Sequence, residues 1–139
     1  MSTSPNRMLG VIFGAGYLII GILGFFLTST TGFVSTQGPL LIGLFEINPL
    51  HNVVHLVIGA ALLIAGLSAV RAAKAVNSVI GAVYLVLGII GLFIAAGDNP
   101  LNVLALNSAD NVLHFASAVV LLAVGIGADP LAKKARKTA

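Results

Sequence analysis

The chain has 139 residues, 58% of them apolar and only 8% charged, with a mean hydropathy of +1.10. Soluble domains carry about 25% charged residues, so a soluble enzyme, a nucleic-acid-binding domain and a disordered tail are all excluded. There is no cysteine, which removes disulfides, thiolate metal sites and cysteine nucleophiles.

A helix needs roughly 20 apolar residues to cross the hydrocarbon core. Four segments qualify, at about 8–28, 49–70, 75–96 and 108–127, and the expected fold is an all-α integral membrane four-helix bundle in a single domain. The first span has the basic flank and apolar run of a signal peptide. Its run is longer than a typical h-region and no small-x-small cleavage site follows, so it reads as a retained helix. A polar, Gly-containing stretch from Ser29 to Pro39 follows it. The second and third spans are joined by Arg71-Ala-Ala-Lys74, read as a tight turn, and Gly97-Asp-Asn-Pro100 opens the third connection. All seven basic residues then fall on one side: Arg7, Arg71, Lys74, and Lys133, Lys134, Arg136 and Lys137 in the tail 128–139. The other two connections hold only acids, namely Glu46, Asp98 and Asp110. The positive-inside rule predicts a multi-pass protein with both termini cytoplasmic and the two longer loops outside. The basic tail reads as an anchor to anionic lipid rather than a nucleic-acid contact.

The two halves repeat each other. Gly14-x-x-Tyr17-Leu18-x-x-Gly21-Ile22-x-Gly24 recurs as Gly81-x-x-Tyr84-Leu85-x-x-Gly88-Ile89-x-Gly91, and Asn48-x-x-x-Asn52-Val53-x-His55 recurs as Asn107-x-x-x-Asn111-Val112-x-His114. Each unit is a helical hairpin. Two tandem copies entering the membrane in the same direction imply a pseudo-two-fold axis along its normal. The glycines step by three and four, the spacing of a helix seam on which small residues let backbones approach. No strand precedes them, so a phosphate-binding loop is excluded.

The polar residues gather at the start of the second and fourth spans. Asn48-Pro49 reads as a helix start, and Asn107 with Asp110 as a capping pair. His51 and Asp110 are repeat equivalents, with His55 and His114 one turn deeper, facing each other across the axis near Tyr17 or Tyr84. Asn52, Asn111, Tyr17 and Tyr84 complete a polar seam open toward the outside. The structural reading is that these side chains hydrogen-bond across helices and specify their pairing. A metal reading uses His51, His55, Asp110 and His114 as ligands for a transition metal such as zinc, with Glu46 nearby. A haem or quinone reading uses His55 and His114, and no Trp and few aromatics speak against it. A hydrolase built on Ser108, Asp110 and His114 lacks a nucleophile elbow and an oxyanion loop. The function expected from the residues is that of a small non-enzymatic membrane component. It would act as an accessory or structural subunit of a larger complex, or as a homo-oligomer, with lipid as its surroundings. Metal or haem/quinone binding is the alternative.

The stretch Leu44-Phe-Glu-Ile-Asn-Pro-Leu-His-Asn-Val-Val-His-Leu56, the central Gly81-Ala-Val-Tyr84-Leu-Val-Leu-Gly88 and Leu106-Asn-Ser-Ala-Asp-Asn-Val-Leu-His114 resemble a bacterial membrane family common in actinobacteria. That family is catalogued as domain of unknown function four-three-eight-three. The resemblance covers about Arg7 to Gly127 and implies a four-helix protein of the bacterial plasma membrane. It supplies no catalytic residues.

Overall fold

A computed structural model describes residues 4–95 and 98–129. Four helices dominate: α1 (Pro5–Leu27), α2 (Pro49–Ser68), α3 (Val70–Ile94) and α4 (Ser108–Gly127). They have 23, 20, 25 and 20 residues, so at a rise of about 1.5 Å per residue each spans about 30 Å or more, the thickness of the hydrocarbon core. All four are long and apolar enough to cross a membrane.

The bundle is packed inside out relative to a soluble one. Ile12, Ile19, Phe26, Ile64, Phe93 and Val119 are among the large apolar side chains that are more than half exposed. Four of the largest fully buried side chains, by contrast, are Asn6, Asn48, Asn52 and Asn77. Lipid gives helices no hydrophobic reason to associate, so close backbone approach and polar contacts must hold them together. α1 packs most closely on α2, and α3 on α4, so each sequence repeat is one helical hairpin. Equivalent positions meet equivalent neighbours. A Cβ on Gly14 would touch Leu63 and one on Gly81 would touch Leu122; Gly24 abuts Asn52 as Gly91 abuts Asn111.

The third helix begins earlier than the expected 75, which corrects the position of the turn. The chain breaks at Ala69 alone, which is extended (φ −139°, ψ 151°), and Arg71 and Lys74 lie in the first turn and a half of α3. Cations at a helix start oppose the helix dipole, and the hairpin geometry removes the penalty. Lys74 Nζ donates to the carbonyls of Ile126 (2.9 Å) and Ala128 (2.5 Å) at the end of α4. Its equivalent on α1, Arg7, donates from Nε to Gly66 O (2.9 Å) and from Nη2 to Leu67 O (3.1 Å) at the end of α2. In an antiparallel hairpin the start of one helix lies beside the unsatisfied carbonyls of the other, and the basic residue satisfies them.

The end of the bundle carrying the chain termini is tied by a second polar knot. Asp129 Oδ2 accepts from Ser4 Oγ (2.7 Å) and from Asn6 N (3.0 Å) and Nδ2 (3.1 Å). Asn77 Nδ2 donates to both oxygens of Asn6 at 3.0 Å. The Ser4 hydroxyl, first, and the Asn6 amide hold the Asp129 carboxyl below its ordinary value of 3.8. The expected basic tail lies outside the described residues from 130 onward, as does the expected end of the third span at Ala96.

At the opposite end the longer connection folds into an antiparallel pair, β1 (Leu40–Leu41) and β2 (Phe45–Glu46). Its turn places Ile42 (φ +48°) and Gly43 (φ +74°) in the left-handed region, where a β-branched residue is strained and glycine is not. An all-α reading omits this hairpin. Leu40–Leu44 is too short an apolar run to separate from a continued span by pattern alone.

Candidate functional site

The site begins with two helix caps. Asn48 Oδ1 accepts from His51 N (2.8 Å), and Asn107 Oδ1 from Asp110 N (3.0 Å). Asp110 Oδ2 returns to Asn107 N (3.0 Å), completing the capping box expected from the sequence. The same oxygen accepts from Glu46 N (3.2 Å), and Asn107 Nδ2 donates to Leu44 O (2.8 Å). Asn48 Nδ2 reaches Ser35 O (2.7 Å) and Val103 O (2.8 Å). The caps therefore bind the loops down onto the bundle and set His51 and Asp110 one turn inside, with His55 and His114 a turn deeper.

Three histidines and two tyrosines then close a ring of rings. His51 packs on His55 with centroids 4.5 Å apart, and His55 stacks on Tyr17 at 5.4 Å. Tyr17 stacks on Tyr84 at 5.6 Å, Tyr84 meets His114 at 5.2 Å, and His114 returns to His51 at 6.4 Å. These separations lie in the range of favourable aromatic pairing. The pseudo-two-fold axis is visible here, because each repeat packs its own tyrosine ring against its own histidine. The spacing suggested that His55 and His114 face each other across the axis near a tyrosine; each packs on a tyrosine, and His51 on one side and the tyrosine pair on the other link the two. His51 stands where the other repeat has Asp110, so the symmetry stops at that position.

All five rings are buried. Tyr17 Oη pairs with Ser117 Oγ at 3.1 Å. The Nδ1 atoms of His51, His55 and His114, and the Tyr84 hydroxyl, are buried with no hydrogen-bond partner among the described residues. Asn52, the neighbour of this cluster on α2, donates to Thr28 Oγ1 (3.0 Å). Its counterpart Asn111 faces Ala95 at the position equivalent to Thr28, which has no hydroxyl to accept that bond.

The proposed metal ligands are brought into one neighbourhood but not into a coordination sphere. The imidazoles are tilted against one another, at 39° between His51 and His55 and 56° between His51 and His114, and Asp110 is engaged in capping. Among the described residues no group of three His, Cys, Asp or Glu side chains has metal-site geometry. Ser108 and His114 form no hydrogen bond with each other, so the hydrolase constellation is not assembled.

Two openings adjoin the ring cluster on the α1–α4 side. One is a cavity of about 130 Å³ beneath the β-hairpin, between Leu41, Ile42 and Phe45 above and Tyr17, His55 and Asp110 below. The other is a groove of about 250 Å³ running along Ile12, Gly16 and Leu113, with Tyr17 and Ser117 at its polar side. Ile20 and Leu113 line both.

Sequence reasoning missed Ser117, Asn6, Asn77 and Asp129. Ser117 falls four residues before Leu121 on the buried face of α4, so its helical register marks it as interior. The Asn6–Asn77–Asp129 knot joins residues 71 and 123 positions apart and leaves no local signal. The equivalence of Arg7 and Lys74 was legible, because the spacing that relates Gly14 to Gly81 also relates them.

Comparison with curated proteins and with solved structures finds no match. Residues 7–127 match the family model described as Domain of unknown function (DUF4383). With that model covering most of its length, the chain belongs to this family, and it is a small four-helix membrane protein.

Proposed function

We propose that the protein is a non-catalytic component of the bacterial plasma membrane, an accessory or structural subunit with both termini in the cytoplasm. The observation that carries this reading is the closed cycle of His51, His55, Tyr17, Tyr84 and His114, in which the histidines pack as rings within the protein. Supporting it, Asp110 Oδ2 takes two backbone hydrogen bonds, and Ser108 forms no hydrogen bond with His114. The polar seam of Tyr17, Asn52, Tyr84 and Asn111 then specifies which helices pair, a role suited to a protein that presents apolar helix faces to lipid and to partner helices. Segregation of the basic residues supports the orientation.

Reporters fused after residue 139 or inserted near Ala72 are expected to read cytoplasm, and those near Ser35 or Asp98 exterior; an exterior reading at the C-terminus overturns the orientation. Elemental analysis of detergent-purified protein tests the structural role. Stoichiometric metal that is lost in both His55→Ala and His114→Ala overturns it.

A further inference from the structure

The two repeats diverge on one side of the bundle. Along α3 and α2 the chain carries Val83 and Ile58 where the equivalent positions on α1 and α4 are Gly16 and Ser117. Ile58 packs against the buried core. Gly16 has nothing within 4 Å of where a Cβ would lie, and α1 and α4 touch each other less than α2 and α3 do. Duplication alone would have produced two similar sides. The α1–α4 side has a groove at Gly16 and Ser117 with a hydroxyl pair at its wall, Tyr17 with Ser117, whereas the groove on the equivalent face of α3, at Val79, Val83 and Leu87, is lined by apolar side chains only.

The groove so formed meets the cavity under the β-hairpin. The cavity's 130 Å³ is close to the roughly 150 Å³ that accommodates a benzene ring in a protein interior. Its lining is apolar apart from Tyr17, His55 and Asp110. Asp110 takes both of its backbone hydrogen bonds on Oδ2 and makes none through Oδ1 among the described residues. His55 is buried with Nδ1 unpartnered. No Lys or Arg lines either opening, so a phosphate headgroup would meet a carboxylate and no cation. A small apolar pocket with one free carboxylate oxygen at its edge suits a neutral ring that brings a hydroxyl donor.

We propose that the α1–α4 groove and the adjoining cavity form a lateral binding site for a neutral amphiphile with a single phenol- or quinol-type ring as its head. The ring fills the cavity, a hydroxyl donates to the free Oδ1 of Asp110, and its apolar tail lies in the groove toward the bilayer. This goes beyond the accessory-component reading and fails or holds separately from it.

The test uses the full chain in phosphatidylcholine nanodiscs, titrated under anaerobic conditions with 2-decyl-1,4-hydroquinone, whose head is close to benzene in size, and, separately, with 2-decyl-1,4-benzoquinone; empty discs are the reference. Saturable one-to-one binding of the quinol is expected. The quinone, which lacks the donors, should bind about tenfold more weakly, the loss of one hydrogen bond to a charged group. Gly16→Val with Ser117→Ile copies the residues of the other repeat and should abolish quinol binding with the thermal transition retained. If the double variant does not fold, Gly16→Val alone, at a position with open space, carries the same expectation. Undiminished binding in the folded groove variant, equal affinity for quinol and quinone, no saturable binding, or competitive displacement of the quinol by phosphatidylglycerol would each overturn the proposal.

Discussion

Gly14 and Gly16 lie two residues apart on α1, and the same substitution should have opposite effects at the two positions. A Cβ on Gly14 would stand 2.5 Å from the backbone nitrogen of Leu63 and 2.8 Å from both Gly59 O and Leu63 Cα. These are backbone atoms of α2, so no rotamer change relieves the clash and the helices must separate. Forcing a methyl group into a closed contact costs about 1–3 kcal/mol. The higher helix propensity of alanine and the smaller entropy of its unfolded chain offset roughly 0.5–1 kcal/mol of that. Gly14→Ala should therefore destabilise the protein by about 1–2 kcal/mol on this balance of overpacking against propensity. At Gly16 a Cβ meets nothing within 4 Å, so only the favourable part remains. Gly16→Ala should stabilise by about 0.5–1 kcal/mol. Reversible unfolding in mixed micelles with increasing sodium dodecyl sulfate, followed by circular dichroism, measures both. Equal shifts in the midpoint, or a stable Gly14→Ala, would refute the assignment of α1–α2 as a seam held by backbone approach.

The tyrosines offer a second pair of contrasts. Tyr17→Phe removes the bond to Ser117 and should cost about 0.5–1.5 kcal/mol, whereas Tyr84→Phe removes a buried hydroxyl without a partner and should be neutral or stabilising; equal losses in the same unfolding assay would count against the pairing. His114→Ala should destabilise by about 1–3 kcal/mol, because it removes a ring packed on Tyr84 and His51, with the midpoint of unfolding as the readout. Asp129 has a depressed carboxyl value, so its contribution to stability is fully present above the ordinary value of 3.8 and is lost as the pH falls below it. Asp129→Asn should flatten this acid limb of the stability profile, and an unchanged limb would show that the Ser4–Asn6–Asp129 knot does not couple to folding.

Spacing alone determined the helices of this protein, their hairpin order and the faces they bury. A 20-residue apolar run must satisfy its backbone within itself, so the spans follow from composition and length. Asn48 and Asn107 mark helix starts because their side chains can reach amides three residues ahead, and Asp110 completes a box within one turn. The glycines at Gly14, Gly21 and Gly24, with their repeats, reveal seams for the same local reason. Helical periodicity states which face is interior, but not which neighbour that face meets. Tertiary structure therefore decided that Tyr17 and Tyr84 stack on each other and that His51 bridges His55 and His114. It also decided that the histidines pack as rings and do not converge on a point. The same step sent Arg7 and Lys74 to the carbonyl ends of the partner helices and tied Asn6 to Asp129. It left open space at Gly16 on α1 while joining α1 to α4 through Tyr17 and Ser117, because the separation of two helices depends on all the side chains between them.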